Sequence, residues 1–190
     1  MKYEQQVAQA AAHINKYLSE TPTFGIVLGS GLGELAESIE TTTIISYEDI
    51  PHFPTTTVTG HEGKLIIGTL EGVPIIGLKG RKHYYEVADQ HNGMLQVIFG
   101  VHVLAELGVK NYFVTNACGG LNPDYEVGDI MIITSHIHMQ PNPLAGPKHE
   151  FTRVDGEPTW RFQPMNNAYD ERLRSILKKS AYDEHIHQGV

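Results

Sequence analysis

An α/β fold is predicted, on two observations. Short apolar runs that read as strands end in glycine clusters, at residues 24–28 and 112–114. Between and around them, apolar residues recur at helical spacing. At 190 residues and 41% apolar content the chain provides one domain's worth of core, so 1–190 is taken as a single domain. The net charge of −8 supplies no broad basic face for nucleic acid or an anionic membrane. No window approaches a membrane-spanning helix, and Met1-Lys2-Tyr3-Glu4 lacks a signal-peptide pattern. One cysteine, Cys118, excludes an internal disulfide framework. A cytoplasmic protein is expected. Eleven histidines are many for this length. His136/His138 and His185/His187 each sit two apart, yet too few ligands converge to predict a metal site.

Val7, Ala10, Ala11, Ile14 and Leu18 predict an amphipathic helix over about the first eighteen residues, broken near Pro22. Residues 24–28 read as a buried strand leading into Gly29-Ser30-Gly31-Leu32-Gly33, and a helix is expected through Leu35, Ala36 and Ile39. A Thr- and Pro-rich loop covers 51–60. Two apolar runs, 64–70 and 73–78, meet at Glu71-Gly72, a dipeptide suited to a tight hairpin or a looser turn. Met94, Val97, Ile98, Val101, Leu104 and Leu107 share a helical face that Gly108 ends. Strands follow at 112–114, read as buried, and at 129–134. Residues 141–164 form a long Pro- and Gly-rich loop. Ala168, Tyr169, Leu173, Ile176 and Leu177 restore a helix, and 185–190 resemble the approach to a strand.

Four segments carry chemistry. The run Thr115-Asn116-Ala117-Cys118-Gly119-Gly120-Leu121-Asn122-Pro123 brings backbone N–H groups to the end of a strand, where an anion can approach unobstructed. Gly29-Ser30-Gly31-Leu32-Gly33 misses the dinucleotide spacing, because its third glycine comes one residue early and no suitably placed acidic residue follows. It reads as a phosphate-sized nest at a helix start with the Ser30 hydroxyl as donor, or as a tight structural turn. In Gly80-Arg81-Lys82-His83-Tyr84-Tyr85-Glu86, Arg81 offers a planar fork for phosphate and His83 a titratable donor. On extended chain Arg81, His83 and Tyr85 project to one side; a solvated basic turn is the bland alternative. His61, between Gly60 and Gly63, reads as a loop histidine that could close on an anion or a sugar.

Together these segments, with Glu126-Val127-Gly128-Asp129-Ile130-Met131 and Asn142-Pro143-Leu144-Ala145-Gly146-Pro147, resemble the trimeric-type purine nucleoside phosphorylases in content and order. The resemblance implies a central, twisted mixed sheet flanked by helices, assembled as a homotrimer. It implies phosphate-dependent cleavage of purine nucleosides to free base and pentose 1-phosphate, with no metal or organic cofactor. It implies that Ser30, His61, Arg81, His83 and the Ala117 N–H serve phosphate, that Tyr85 lies against ribose, and that His83 and Tyr85 are the catalytic side chains. Base-binding residues are not assigned: the sequence stops at Gln188-Gly189-Val190, where the family enters that segment. This stop weighs against turnover by these 190 residues alone and favours a phosphate half-site, with a catalytically inactive, truncated relative that binds phosphate or associates with other subunits as the alternative reading. It also predicts an uncovered sheet edge. Departures from the family pattern are Val87 for a glycine, Cys118 for an alanine, read as a small buried filler, and the stretch 151–163. There Phe151 and Trp160 are the aromatics available to reach a neighbouring subunit.

Overall fold

The computed structural model describes residues 1–29, 33–56, 63–143, 165–184, 186 and 188–189. They fall into two units, Met1–Ala117 and Cys118–Val190.

In the first unit, helix α1 (Tyr3–Asn15) buries Val7, Ala10, Ala11 and Ile14 along one face. Each such burial of a valine- or isoleucine-sized side chain is worth about 1.5–3 kcal/mol. The helix ends earlier than its apolar pattern suggests. After Asn15 the backbone tightens, with the Tyr17 N–H donating to the Ile14 carbonyl at 2.9 Å, a three-residue step.

The sheet has five strands: β1 (Phe24–Leu28), β2 (Glu40–Ser46), β3 (Lys64–Leu70), β4 (Val73–Lys79) and β5 (Asn111–Val114). Their spatial order is β2-β3-β4-β1-β5. The β1 strand pairs in parallel with β4 and β5, while β2, β3 and β4 pair antiparallel, so the sheet is mixed as expected. The hairpin between β3 and β4 closes with Leu70 opposite Val73. Glu71 and Gly72 both take positive φ, 49° and 73°, the signature of the two-residue type I′ turn.

Strand alternation divides the core. Ile26 and Leu28 of β1 join Ile66, Ile75, Ala36 and Ile39 on one face. On the other, helix α2 (Gly93–Glu106) buries Phe99, Val103 and Leu104 and packs with α1. Gly108, at φ +89°, ends α2 where the sequence placed its stop.

The structure departs from the sequence reading at several elements. Residues Gly33–Ser38 form a 3₁₀ helix rather than an α-helix. Only six residues separate the glycine run from β2, too few for a stable α-helix. The β2 strand itself was not foreseen; its Thr-rich edge pairs with β3 around an irregularity between Thr41 and Thr43. The β5 strand is the sheet's edge and is not buried, with Phe113 and Val114 37% and 54% exposed.

In the second unit the strand expected at 129–134 contracts to β6 (Ile130–Met131), which pairs in parallel with β7 (Gln188–Gly189) over two residues. The last helix, α3 (Glu171–Asp183), starts after Ala168 and Tyr169, because the Asp170 carboxylate accepts the Leu173 N–H at 2.8 Å and caps it there. Cys118 is exposed rather than a buried filler; it lies beyond the end of β5, where among the described residues no strand pairs with it. His136 meets the Tyr169 hydroxyl at 2.9 Å and packs edge-on against His138.

Candidate active site

Because β1 lies between two parallel neighbours, the carboxyl ends of β4, β1 and β5 stand side by side. The chain reaches β4 and β5 on opposite sides of β1, which makes this end the place where an open α/β sheet holds ligands. Three of the four chemical segments leave the sheet here: Gly29 after β1, Gly80-Arg81 after β4, and Thr115-Asn116-Ala117 after β5.

Gly80 turns the chain at φ +98°, and its carbonyl accepts the buried Tyr47 hydroxyl at 2.8 Å. The turn carries Arg81 toward β5, where Nη1 donates to the Thr115 carbonyl at 2.8 Å. Arg81 is half-buried, and desolvation of the charged form lowers its pKa from the ordinary value. One of five guanidinium N–H donors serves Thr115 in this bond.

Thr115 ties the ends together. Its N–H and its hydroxyl both donate to the Val27 carbonyl at 3.0 Å, and the hydroxyl oxygen accepts the Gly29 N–H at 2.8 Å. The backbones are so close that a Cβ on Gly29 would stand 2.2 Å from the Thr115 carbonyl oxygen. Close approach is therefore what demands glycine at position 29.

His83 is held from below by Glu86. The carboxylate, 5% exposed, accepts the His83 backbone N–H and stands 3.2 Å from ring Nδ1, while its other oxygen is 3.2 Å from Lys82 Nζ. Lys82 also donates to the Thr55 carbonyl at 3.0 Å. A carboxylate only accepts, so this contact places the ring proton on Nδ1 and fixes the imidazole's orientation. Backbone bonds from the Glu86 N–H to the His83 carbonyl at 3.1 Å and from the Val87 N–H to the Tyr84 carbonyl at 3.0 Å close a 3₁₀ turn at Tyr84–Glu86, which replaces the extended chain expected there. Tyr85 therefore stacks on the His83 ring, centroids 5.1 Å apart and planes 17° from parallel. It remains 68% exposed.

Of the residues singled out from sequence, Arg81 is joined to the 115–117 segment and His83 to Tyr85. Ala117 lies exposed two residues beyond Thr115. Ser30, His61, Phe151 and Trp160 lie outside the described residues. The glycine run does not open an α-helix, so the nest pictured at a helix start loses that support. Two residues were missed. Glu86 had a local signal, an acid three residues after His83 as in a capping box. Thr115 had none, because its partners are brought to it by strand order.

The family model of the phosphorylase superfamily matches residues 23–190. This chain belongs to the phosphorylase superfamily. Within that superfamily it is similar to "Purine nucleoside phosphorylase 1" of Bacillus subtilis, 46% identical over 182 residues that cover 95% of this chain and 64% of that protein. A purine nucleoside phosphorylase structure from Schistosoma mansoni, in complex with acetate, superposes with a TM-score of 0.82 at 39% identity, covering 98% of this chain and 68% of that one. A purine nucleoside phosphorylase in complex with ribose-1-phosphate superposes equally well, over the same shares of each chain. The chain thus spans somewhat under two thirds of the Bacillus relative's length.

Proposed function

We propose that this phosphorylase chain serves the phosphorolysis of purine nucleosides and supplies the phosphate half of the site. The observation that carries the reading is the Arg81 guanidinium held at the common carboxyl end of three strands, beside half-buried Thr115 and the exposed residues Asn116 and Ala117. In a chain of net charge −8, such a fixed local cation is what an anion would seek. The relative bound to ribose-1-phosphate supports phosphate and ribose as the ligands.

On this reading Arg81, His83 and the Ala117 N–H hold inorganic phosphate, joined by Ser30 and His61 as the family resemblance implies. The phosphate oxygen bonds to C1′ as the bond from C1′ to the purine nitrogen breaks, and the base departs with the electron pair. The transition state has oxocarbenium character, as in glycoside cleavage. The phosphate dianion is both nucleophile and counter-charge, so no metal or organic cofactor is needed. Positioning of this kind is worth about 7–11 kcal/mol in ideal cases. Tyr85, stacked on His83 yet open to solvent, is placed to lie against the sugar. A cytoplasmic homotrimer is the assembly this reading carries with it.

Incubation with inosine, with and without inorganic phosphate, tests the proposal. Phosphate binding is expected, and any release of hypoxanthine and ribose 1-phosphate is expected only when phosphate is present. Free ribose, or release without phosphate, would overturn it. No release while phosphate still binds would reduce the chain's role to binding.

A further inference from the structure

We infer that Thr115 is the positioning residue that sets the anion site, acting through Gly29 and Arg81 rather than by touching the ligand. The inference rests on the phosphate reading above and deepens it.

Three groups converge on this one side chain and its peptide. The hydroxyl bridges strands, accepting from the Gly29 N–H at 2.8 Å and donating to the Val27 carbonyl at 3.0 Å. The carbonyl seats Arg81 Nη1 at 2.8 Å. Ala117, whose N–H is assigned to phosphate, follows two residues later. The Val27 carbonyl also accepts the Thr115 N–H, so it keeps a partner if the hydroxyl is lost. The Gly29 N–H then loses its 2.8 Å acceptor. Removing the hydroxyl therefore unpins the departure of the chain from β1 and loosens the peptide on which Arg81 rests, while the strand pairing survives. Valine matches threonine in shape and keeps the β-branched preference for extended chain. Serine keeps the hydroxyl and drops only the methyl.

The test is calorimetric titration with inorganic phosphate on the full 190-residue chain, for wild type, Thr115→Val, Thr115→Ser, Arg81→Ala and the Thr115→Val/Arg81→Ala pair. Urea unfolding of each variant runs in parallel. Thr115→Val is expected to weaken phosphate by about tenfold, the scale of one lost hydrogen bond. Thr115→Ser is expected to stay within about threefold of wild type, which a site set by threonine packing would not allow. In the pair, the Val substitution should add less than it does alone, because part of its effect runs through Arg81. Full additivity, or unchanged affinity in a folded Thr115→Val, would overturn the inference while leaving the phosphate reading intact. Should Thr115→Val not fold, Thr115→Ser decides: near-wild-type affinity supports the inference and a tenfold loss overturns it. If Arg81→Ala binds as wild type does, or wild type does not bind, the phosphate reading fails first and the inference with it.

Discussion

Position 29 shows how one atom constrains the site. A Cβ there would meet the Thr115 carbonyl oxygen at 2.2 Å and the Asn116 Cα at 3.0 Å, both backbone, so neither can swing aside. Gly29→Ala must push β1 and β5 apart at the end where Arg81 lands. Overpacking of this kind costs about 1–3 kcal/mol, and urea unfolding should register a loss in that range. The glycine was visible in the sequence, but the reason for it was not. A glycine cluster after a strand reads as freedom to cradle an anion. What position 29 requires instead is the absence of a side chain against a strand 86 residues further along the chain. The pair His83 and Glu86 is the opposite case: three residues apart, it could have been read from the sequence as a capping pattern.

Among elements, those built from local signals were the legible ones. The β3-β4 hairpin follows from two apolar runs and Glu71-Gly72, and the extent of α2 follows from its apolar content and Gly108, although the face it buries is that of Phe99, Val103 and Leu104 while Val101 of the predicted stripe is exposed. At the hairpin, an added Cβ on Gly72 meets nothing within 4 Å, so only its φ of +73° resists substitution. Gly72→Ala should therefore cost about 1 kcal/mol, the penalty of a left-handed L-residue, without altering the fold by circular dichroism. Elements defined by distant partners were misread. The apolar composition of β5 says that its faces want cover, and says nothing of which element provides it; the strand is the sheet edge and Val114 is half exposed. The β2 strand escaped notice because its threonines resemble a loop until β3 pairs with them.

For the molecule as a whole, one buried and two half-buried tyrosines set an alkaline limit. Burial raises the phenol pKa of Tyr3, Tyr47 and Tyr112 above the ordinary value near 10, because the phenolate is disfavoured away from water. Above about pH 10 the unfolded chain releases these protons while the folded chain keeps them, so stability is intact below that pH and falls as pH rises. Urea unfolding at about pH 8 and about pH 11 should show the loss. Tyr47→Phe should lower stability at about pH 8, having lost its bond to the Gly80 carbonyl, and should shrink the further drop on going to alkaline pH. An equal drop in the variant would remove Tyr47 from the account.

The strand order β4-β1-β5 also underlies the proposed phosphate site, because it brings Arg81 to the Thr115 carbonyl. Sequence motifs named Arg81, His83 and Ala117 without supplying that juxtaposition. Titration of the intact chain with inorganic phosphate, beside Arg81→Ala, tests the claim most directly. The account predicts saturable binding to one site, weakened about tenfold or more in the variant, the scale expected when a charge-assisted bond is removed. Binding that is absent in wild type, or unchanged without Arg81, would contradict it.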